Sequence, residues 1–286
     1  MRTRLTMEYG IEWPLVGPGG AFPGSPALTA AVSNSGGLGI LGGSPGSPLD
    51  LRRWIHETKK LTNRSFGVEL NLQVAQAEHL EACARARVAV VVLAWDLPPR
   101  TWLLWLRHEG IRVWSRVSCA VGARDAAKAG ADAVIVHGAV NPNKGSSTPV
   151  FGLLAGAAEA AAPKLVIASG GIRDPDHVVA AMALGAEGVC VGAPLAGKRV
   201  TREIVLHMMQ GVEQVVRERL DAIITGPAHS RAFSLPQRGA EEENTGPANF
   251  SIAPSLARLL EALLAAQGSP HRDWHPVSPA SRARIE

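Results

Sequence analysis

Two short glycine-bearing turns carry the clearest chemical signal in this sequence. One reads Ser169-Gly170-Gly171-Ile172 and the other Val191-Gly192-Ala193-Pro194. Paired glycines let backbone N–H groups approach an anion closely, and a helix starting beyond such a turn adds the partial positive charge of its N-terminus. Both turns suit a phosphate, although tight strand-to-helix turns also use glycine for steric reasons alone. Neither carries the Lys-Ser/Thr of a P-loop, which argues against nucleoside triphosphate hydrolysis. A third glycine cluster, Gly17-Pro18-Gly19-Gly20, follows the first apolar run. His137 closes another apolar run, and an imidazole titrating near neutrality suits acid–base work there. Asn143 and Lys144 follow in a polar loop, and Trp95-Asp96 follow the apolar run VAVVVL. Trp95, Asp96 and Asn143 are candidates for lining a substrate pocket. Asp96 would serve equally well as the cap of the next helix.

These residues need a frame to bring them together. Short apolar runs at 15–16, 38–41, 66–72, 88–93, 112–117, 133–136, 164–168 and 188–191 read as strands. Helix-like stretches alternate with them, among them 50–61 with Asp50 as N-cap, 74–84, 175–184 with Asp174 as N-cap, and a long one over 202–220. Strict alternation implies a parallel sheet with helical crossovers. Eight units close a (β/α)8 TIM barrel, and a doubly wound open sheet is the competing architecture. In a barrel the candidate residues lie at the C-terminal strand ends, with the two glycine turns after strands 7 and 8, a common phosphate site. Beyond Ser234 the chain turns polar and proline-rich, with one leucine-bearing segment over about 254–267. We therefore divide the chain into a barrel domain, 1–233, and a C-terminal helical extension, 234–286. The leucine stripe packs on the barrel or on a second subunit, so a homodimer stays open.

The chain has 286 residues, 46% hydrophobic and 19% charged, enough for a sizeable core. Its net charge of +4 is spread thinly, with no basic stripe and interleaved aromatics, which excludes nucleic acid as the expected partner. No run is long and apolar enough to predict a membrane helix, and the first 30 residues do not read as a signal peptide. Cys83, Cys119 and Cys190 lie far apart with no CxxC pair, so neither a disulfide framework nor a metal site is expected. A reducing cytoplasm is the expected location. Trp102, Trp105 and Trp114 read as core packing, Ser118 as a helix cap and His177 as a surface residue.

The opening GIEWPLVGPGGAFPGSPALTAAVSNSGGLGILGG, together with LTNRSFGVELNL, AAKAGADAVIVHG and KLVIASGGIRDPDHVVAAMALGAEGVCVGAPL, resembles the FMN-dependent nitronate monooxygenases. The likeness covers roughly residues 8–200, and the family also includes FMN-dependent enoyl-acyl-carrier-protein reductases. It implies FMN as cofactor. Gly17, Gly19 and Gly20 would lie against the flavin ring edge, and Asn71, or else Glu69, would face its pyrimidine side. Ser169, Gly170, Gly171, Gly192 and Ala193 would hold the phosphate, although family members usually carry Thr or Ser where Ala193 stands.

The loop after strand 6 departs from the family. Family members read like QGSEAGGHRG, with a catalytic His, whereas this chain reads HGAVNPNKG, so Lys144 takes the His position and His137 the Gln position. Three readings follow. Lys144 attracts an anionic substrate or stabilises reduced flavin; His137 is the acid/base; or the ancestral chemistry is lost. The resemblance implies an FMN-dependent oxidoreductase that oxidises a nitronate or related small molecule with oxygen. The alternatives are an enoyl reductase using NAD(P)H and a non-catalytic binding or regulatory barrel.

Overall fold

Aliphatic runs too short for helices form eight strands: β1 (Leu15–Val16), β2 (Gly39–Gly42), β3 (Phe66–Asn71), β4 (Val90–Ala94), β5 (Arg112–Val117), β6 (Ala133–His137), β7 (Leu165–Ser169) and β8 (Gly188–Cys190). Between and before them lie α1 (Arg4–Tyr9), α2 (Pro26–Asn34), α3 (Pro48–Leu61), α4 (Ala77–Ala86), α5 (Arg100–His108), α6 (Ala120–Ala129), α7 (Val150–Ala161) and α8 (Pro175–Ala183). The computed structural model describes residues 2–19, 25–43, 46–138 and 148–192, with 205, 209–212 and 214–215 beyond them. Those last positions are helical and fall inside the predicted 202–220 helix. The extension 234–286 and its 254–267 helix lie outside the described residues.

All strand pairs are parallel, in the order β1-β8-β7-β6-β5-β4-β3-β2. A parallel bridge from Val16 to Leu38, next to β2, joins the two ends. The sheet is a (β/α)8 TIM barrel, and the doubly wound alternative is ruled out. Alternation along each strand divides the core. Val16, Ile40, Val92, Trp114, Ile135 and Ile167 pack inside the barrel. Val68, Leu70, Val91, Leu93 and Val113 point outward onto the helices.

Helix α1 escaped the sequence reading. Its six residues are held by a capping box between Thr3 and Thr6, and Gly10 ends it at φ 63°. Leu5, fully buried, joins the interior cluster, and Trp114 Nε1 donates to Tyr9 Oη at 2.6 Å. The helix therefore closes the N-terminal end of the barrel.

Three local expectations are corrected. The N-cap of α3 is Ser47, and Asp50 is its capping-box partner three residues on. Helix α4 starts at Ala77 rather than near Val74, because Asn71 captures the intervening N–H groups. Its Oδ1 accepts from Gln73 at 3.0 Å, and its carbonyl accepts from Val74 at 3.1 Å and Ala75 at 2.9 Å. The cap of α6 is Cys119, not Ser118, with Sγ accepting from Gly122 N–H. Asp174 does cap α8, its Oδ1 accepting from His177 N–H at 2.9 Å. Among the described residues no helix is long and apolar enough to cross a membrane.

Candidate active site

The same alternation that fills the barrel with aliphatic side chains puts five polar ones in its uppermost interior layer. Glu69 comes from β3, Arg116 from β5, His137 from β6, Ser169 from β7 and Cys190 from β8. Register makes the last three neighbours, His137 beside Ser169 and Ser169 beside Cys190. Arg116 and Glu69 are 5% and 3% exposed. Two guanidinium nitrogens of Arg116, Nε at 3.2 Å and Nη2 at 2.5 Å, donate to Glu69 Oε2. The third, Nη1, donates to Ser169 Oγ at 3.0 Å. Burial works against the Arg116 charge, yet the Glu69 carboxylate more than offsets it and raises the guanidinium pKa.

His137 Nδ1 lies 3.0 Å from the same Ser169 Oγ. Ser169 Oγ accepts from Arg116 and can either donate its hydrogen to Nδ1 or accept from an Nδ1–H, and Cys190 Sγ is a second taker of that hydrogen. Where Ser169 donates to Nδ1, the imidazole proton is on Nε2. Burial first, and then the Arg116 charge, depress the His137 pKa to about 4. The ring is neutral at physiological pH. Trp95 packs edge-on against it, centroids 5.6 Å apart at 90°, and reaches this position through a left-handed backbone with φ 76°. A non-glycine residue held there is strained, a condition that clusters at functional sites. Burial also raises the Cys190 thiol pKa, and its Sγ donates to Gly17 O at 3.4 Å.

Above this layer opens a cavity of about 720 Å³. Pro18, Gly19 and Trp95 form part of its wall, the 169–173 turn and Gly192 another part. Gly19 rests on the layer itself, since a Cβ there would come within 2.6 Å of Glu69 Oε2. Gly170 has φ 96°, and its missing side chain makes room for the Gly138 carbonyl. Gly171, at φ 76°, faces open space. Among the described residues no acceptor takes the N–H of Gly170, Gly171 or Gly192. Uncapped N–H groups on side-chain-free backbone fit a phosphate oxyanion.

The sequence-predicted residues separate in space. His137, Trp95, Gly19, Ser169, Gly170, Gly171 and Gly192 all line the cavity. Gly17 lies beside it, holding the Cys190 thiol. Glu69, rather than Asn71, reaches into it; the Asn71 amide is engaged in its own turn. Asp96 lines a neighbouring, smaller pocket and accepts from Leu97 N–H, so it caps no helix. Gly20, Asn143, Lys144 and Ala193 lie outside the described residues. Arg116, whose place at the end of strand 5 offers it as a contact for the flavin or an acidic substrate, also lines the cavity: in RVWSRV it shares the parity of Trp114 and so points inward.

The profile of the family described as nitronate monooxygenase matches residues 2–82 and 69–211, most of the described chain. The chain belongs to the nitronate monooxygenase family. One curated relative is the (3aS,4S,5R,7aS)-5-hydroxy-7a-methyl-1-oxo-octahydro-1H-indene-4-carboxyl-CoA dehydrogenase of Rhodococcus jostii. It is 34% identical, over 98% of this chain and 83% of its own length. A probable nitronate monooxygenase of Staphylococcus aureus is 26% identical over 67% of this chain and 66% of its own length. Among solved structures, a mutant FabK from Thermotoga maritima superposes with a TM-score of 0.66 at 35% identity, covering 70% of this chain and 67% of that one. Both curated relatives carry oxidoreductase names, and this member of the nitronate monooxygenase family is an oxidoreductase.

Proposed function

We propose that this chain is an FMN-dependent oxidoreductase that moves a hydride to or from the acyl part of a CoA thioester, rather than oxidising a nitronate with oxygen. The observation that carries the reading is the contrast in likeness: 34% over nearly the whole chain to a carboxyl-CoA dehydrogenase, against 26% over two thirds of it to a nitronate monooxygenase. Within the uppermost interior layer Glu69 neutralises Arg116 and His137 is neutral, so the cationic side chain on the described wall of the cavity is Arg173, on the turn after β7.

Gly170, Gly171 and Gly192 would hold the FMN phosphate, with Gly19 and Glu69 on the ring side. Flavin, when bound, supplies the two-electron hydride chemistry. The protein supplies polarisation and orientation. Arg116 fixes Ser169, Ser169 donates to Nδ1 of His137, and in that tautomer the Nε2–H is a neutral hydrogen-bond donor for a thioester carbonyl. Such a donor polarises the carbonyl without transferring a full proton to it. Trp95, packed on the imidazole edge, restricts ring rotation and presents an apolar wall to the acyl chain.

Anaerobic mixing tests this. FMN-loaded protein is combined in turn with an alicyclic carboxyl-CoA thioester, the matching free acid, a primary nitronate and NAD(P)H, and oxidised-flavin absorbance is followed. The thioester is expected to bleach the flavin and the free acid and nitronate are not. Bleaching by NAD(P)H would set the physiological direction as acyl reduction. Bleaching by the nitronate with none by any thioester would sink the reading, as would a protein that fails to take up FMN at all.

A further inference from the structure

Strand β5 has two faces. Trp114 and Arg116 point into the barrel, so Ser115 between them points outward, toward α6. There it meets a second cavity of about 240 Å³, enclosed by the loop after β4, the end of β5 and the first turns of α6. Trp95 and Arg116 line both cavities, so the two adjoin at these side chains. Ser115 is 1% exposed, and its Oγ has no hydrogen-bond partner among the described residues. A buried hydroxyl left unpaired is costly, and in native proteins such a group is met by ordered water or by a bound molecule. The space is far more than one water needs, whose share of liquid volume is about 30 Å³.

The remaining lining selects the kind of molecule. Trp95, Leu97 and Val117 supply apolar surface. Two carboxylates are also present: Asp96, which accepts from Leu97 N–H at 2.8 Å, and Asp125, which accepts from Arg124 Nε at 3.1 Å. They work against an anionic occupant. What fits is a neutral, mostly apolar body bearing a hydrogen-bonding oxygen.

We infer that this side pocket receives the ring of an oxygen-bearing alicyclic acyl group, with the Ser115 hydroxyl bonded to the ring oxygen. The inference rests on the acyl-CoA reading for what lies in the larger cavity, and it makes Ser115 the residue that selects an oxygenated ring over a bare one.

Cys119 lines the pocket and reports its occupancy. It is exposed whereas Cys83 and Cys190 are buried, so the native protein presents one accessible thiol, placed at this pocket. Full-length protein is treated with N-ethylmaleimide in the presence of octahydroinden-1-one, a bicyclic ketone, or of octahydroindene, its hydrocarbon counterpart. The ketone is expected to slow Cys119 alkylation at a concentration about 10-fold lower than the hydrocarbon requires, the worth of one hydrogen bond. Ser115→Ala should lose that preference while melting no lower than the wild type, because the hydroxyl bonds nothing among the described residues and its removal relieves an unpaired buried group. Equal protection by the two compounds, no protection by either, or a lowered melting temperature in Ser115→Ala would each overturn the assignment. The assay involves no thioester and no flavin turnover, so failure of the acyl-CoA reading would appear in the bleaching experiment instead.

Discussion

Arg116 and Glu69 sit at the centre of the site because each makes the burial of the other tolerable. Removing one partner of a buried pair leaves an uncompensated charge, which typically costs about 3–5 kcal/mol. Glu69→Gln should therefore lower the free energy of unfolding by about that amount in urea titrations. Glu69→Gln combined with Arg116→Met should recover much of the loss, since no lone charge then remains. His137 gives a second prediction at this scale. Its folded pKa is depressed to about 4 from an ordinary 6.5. Between those values the unfolded chain binds a proton that the native protein does not, so stability is complete above about pH 6.5 and declines as pH falls toward 4. Urea midpoints measured across that window should fall less steeply for His137→Gln than for the parent. The sequence disclosed His137 and Ser169 by their positions at strand ends. It did not disclose that the histidine would be neutral, because that follows from burial and from a guanidinium that arrives from another strand.

The turn after β7 separates two uses of glycine that look identical in the sequence. At Gly170 a Cβ would run into the Gly138 carbonyl, so Gly170→Ala should lower the melting temperature and weaken FMN retention together. At Gly171 the space is open, and alanine meets only the left-handed backbone penalty of about 1–2 kcal/mol. Gly171→Ala is expected to fold and yet to bind FMN at least 10-fold more weakly, as seen by quenching of flavin fluorescence, because its methyl occupies the phosphate cradle. The eight strands were legible because aliphatic runs bounded by glycine and proline leave few alternatives. Helix starts were less so. Ser47 and Asp50 are the two ends of one capping box, and the pattern alone does not say which is the cap. The start of α4 was misplaced because the Asn71 turn consumes N–H groups that apolar spacing assigns to a helix.

At the scale of the whole molecule the barrel has a closed end and a working end. Helix α1 was invisible in the sequence because six residues are too few for a periodic pattern. Its importance comes from what it plugs. Leu5→Ala should cost about 2–5 kcal/mol of stability, with kcat per folded molecule unchanged, since the site is at the opposite rim. Calorimetry paired with turnover measured well below the transition would check both halves. The alternation of β5 carries a consequence of another kind. Trp114, Ser115 and Arg116 are consecutive in the chain, yet they serve the bolt that fastens the closed end, the side pocket and the charged layer under the main cavity. Three adjacent codons thus bear on durability, ring preference and local charge, but only the middle one can be varied alone, because losing the Arg116 charge strands Glu69 and so lowers durability as well. A single-codon deletion there would scramble all three at once.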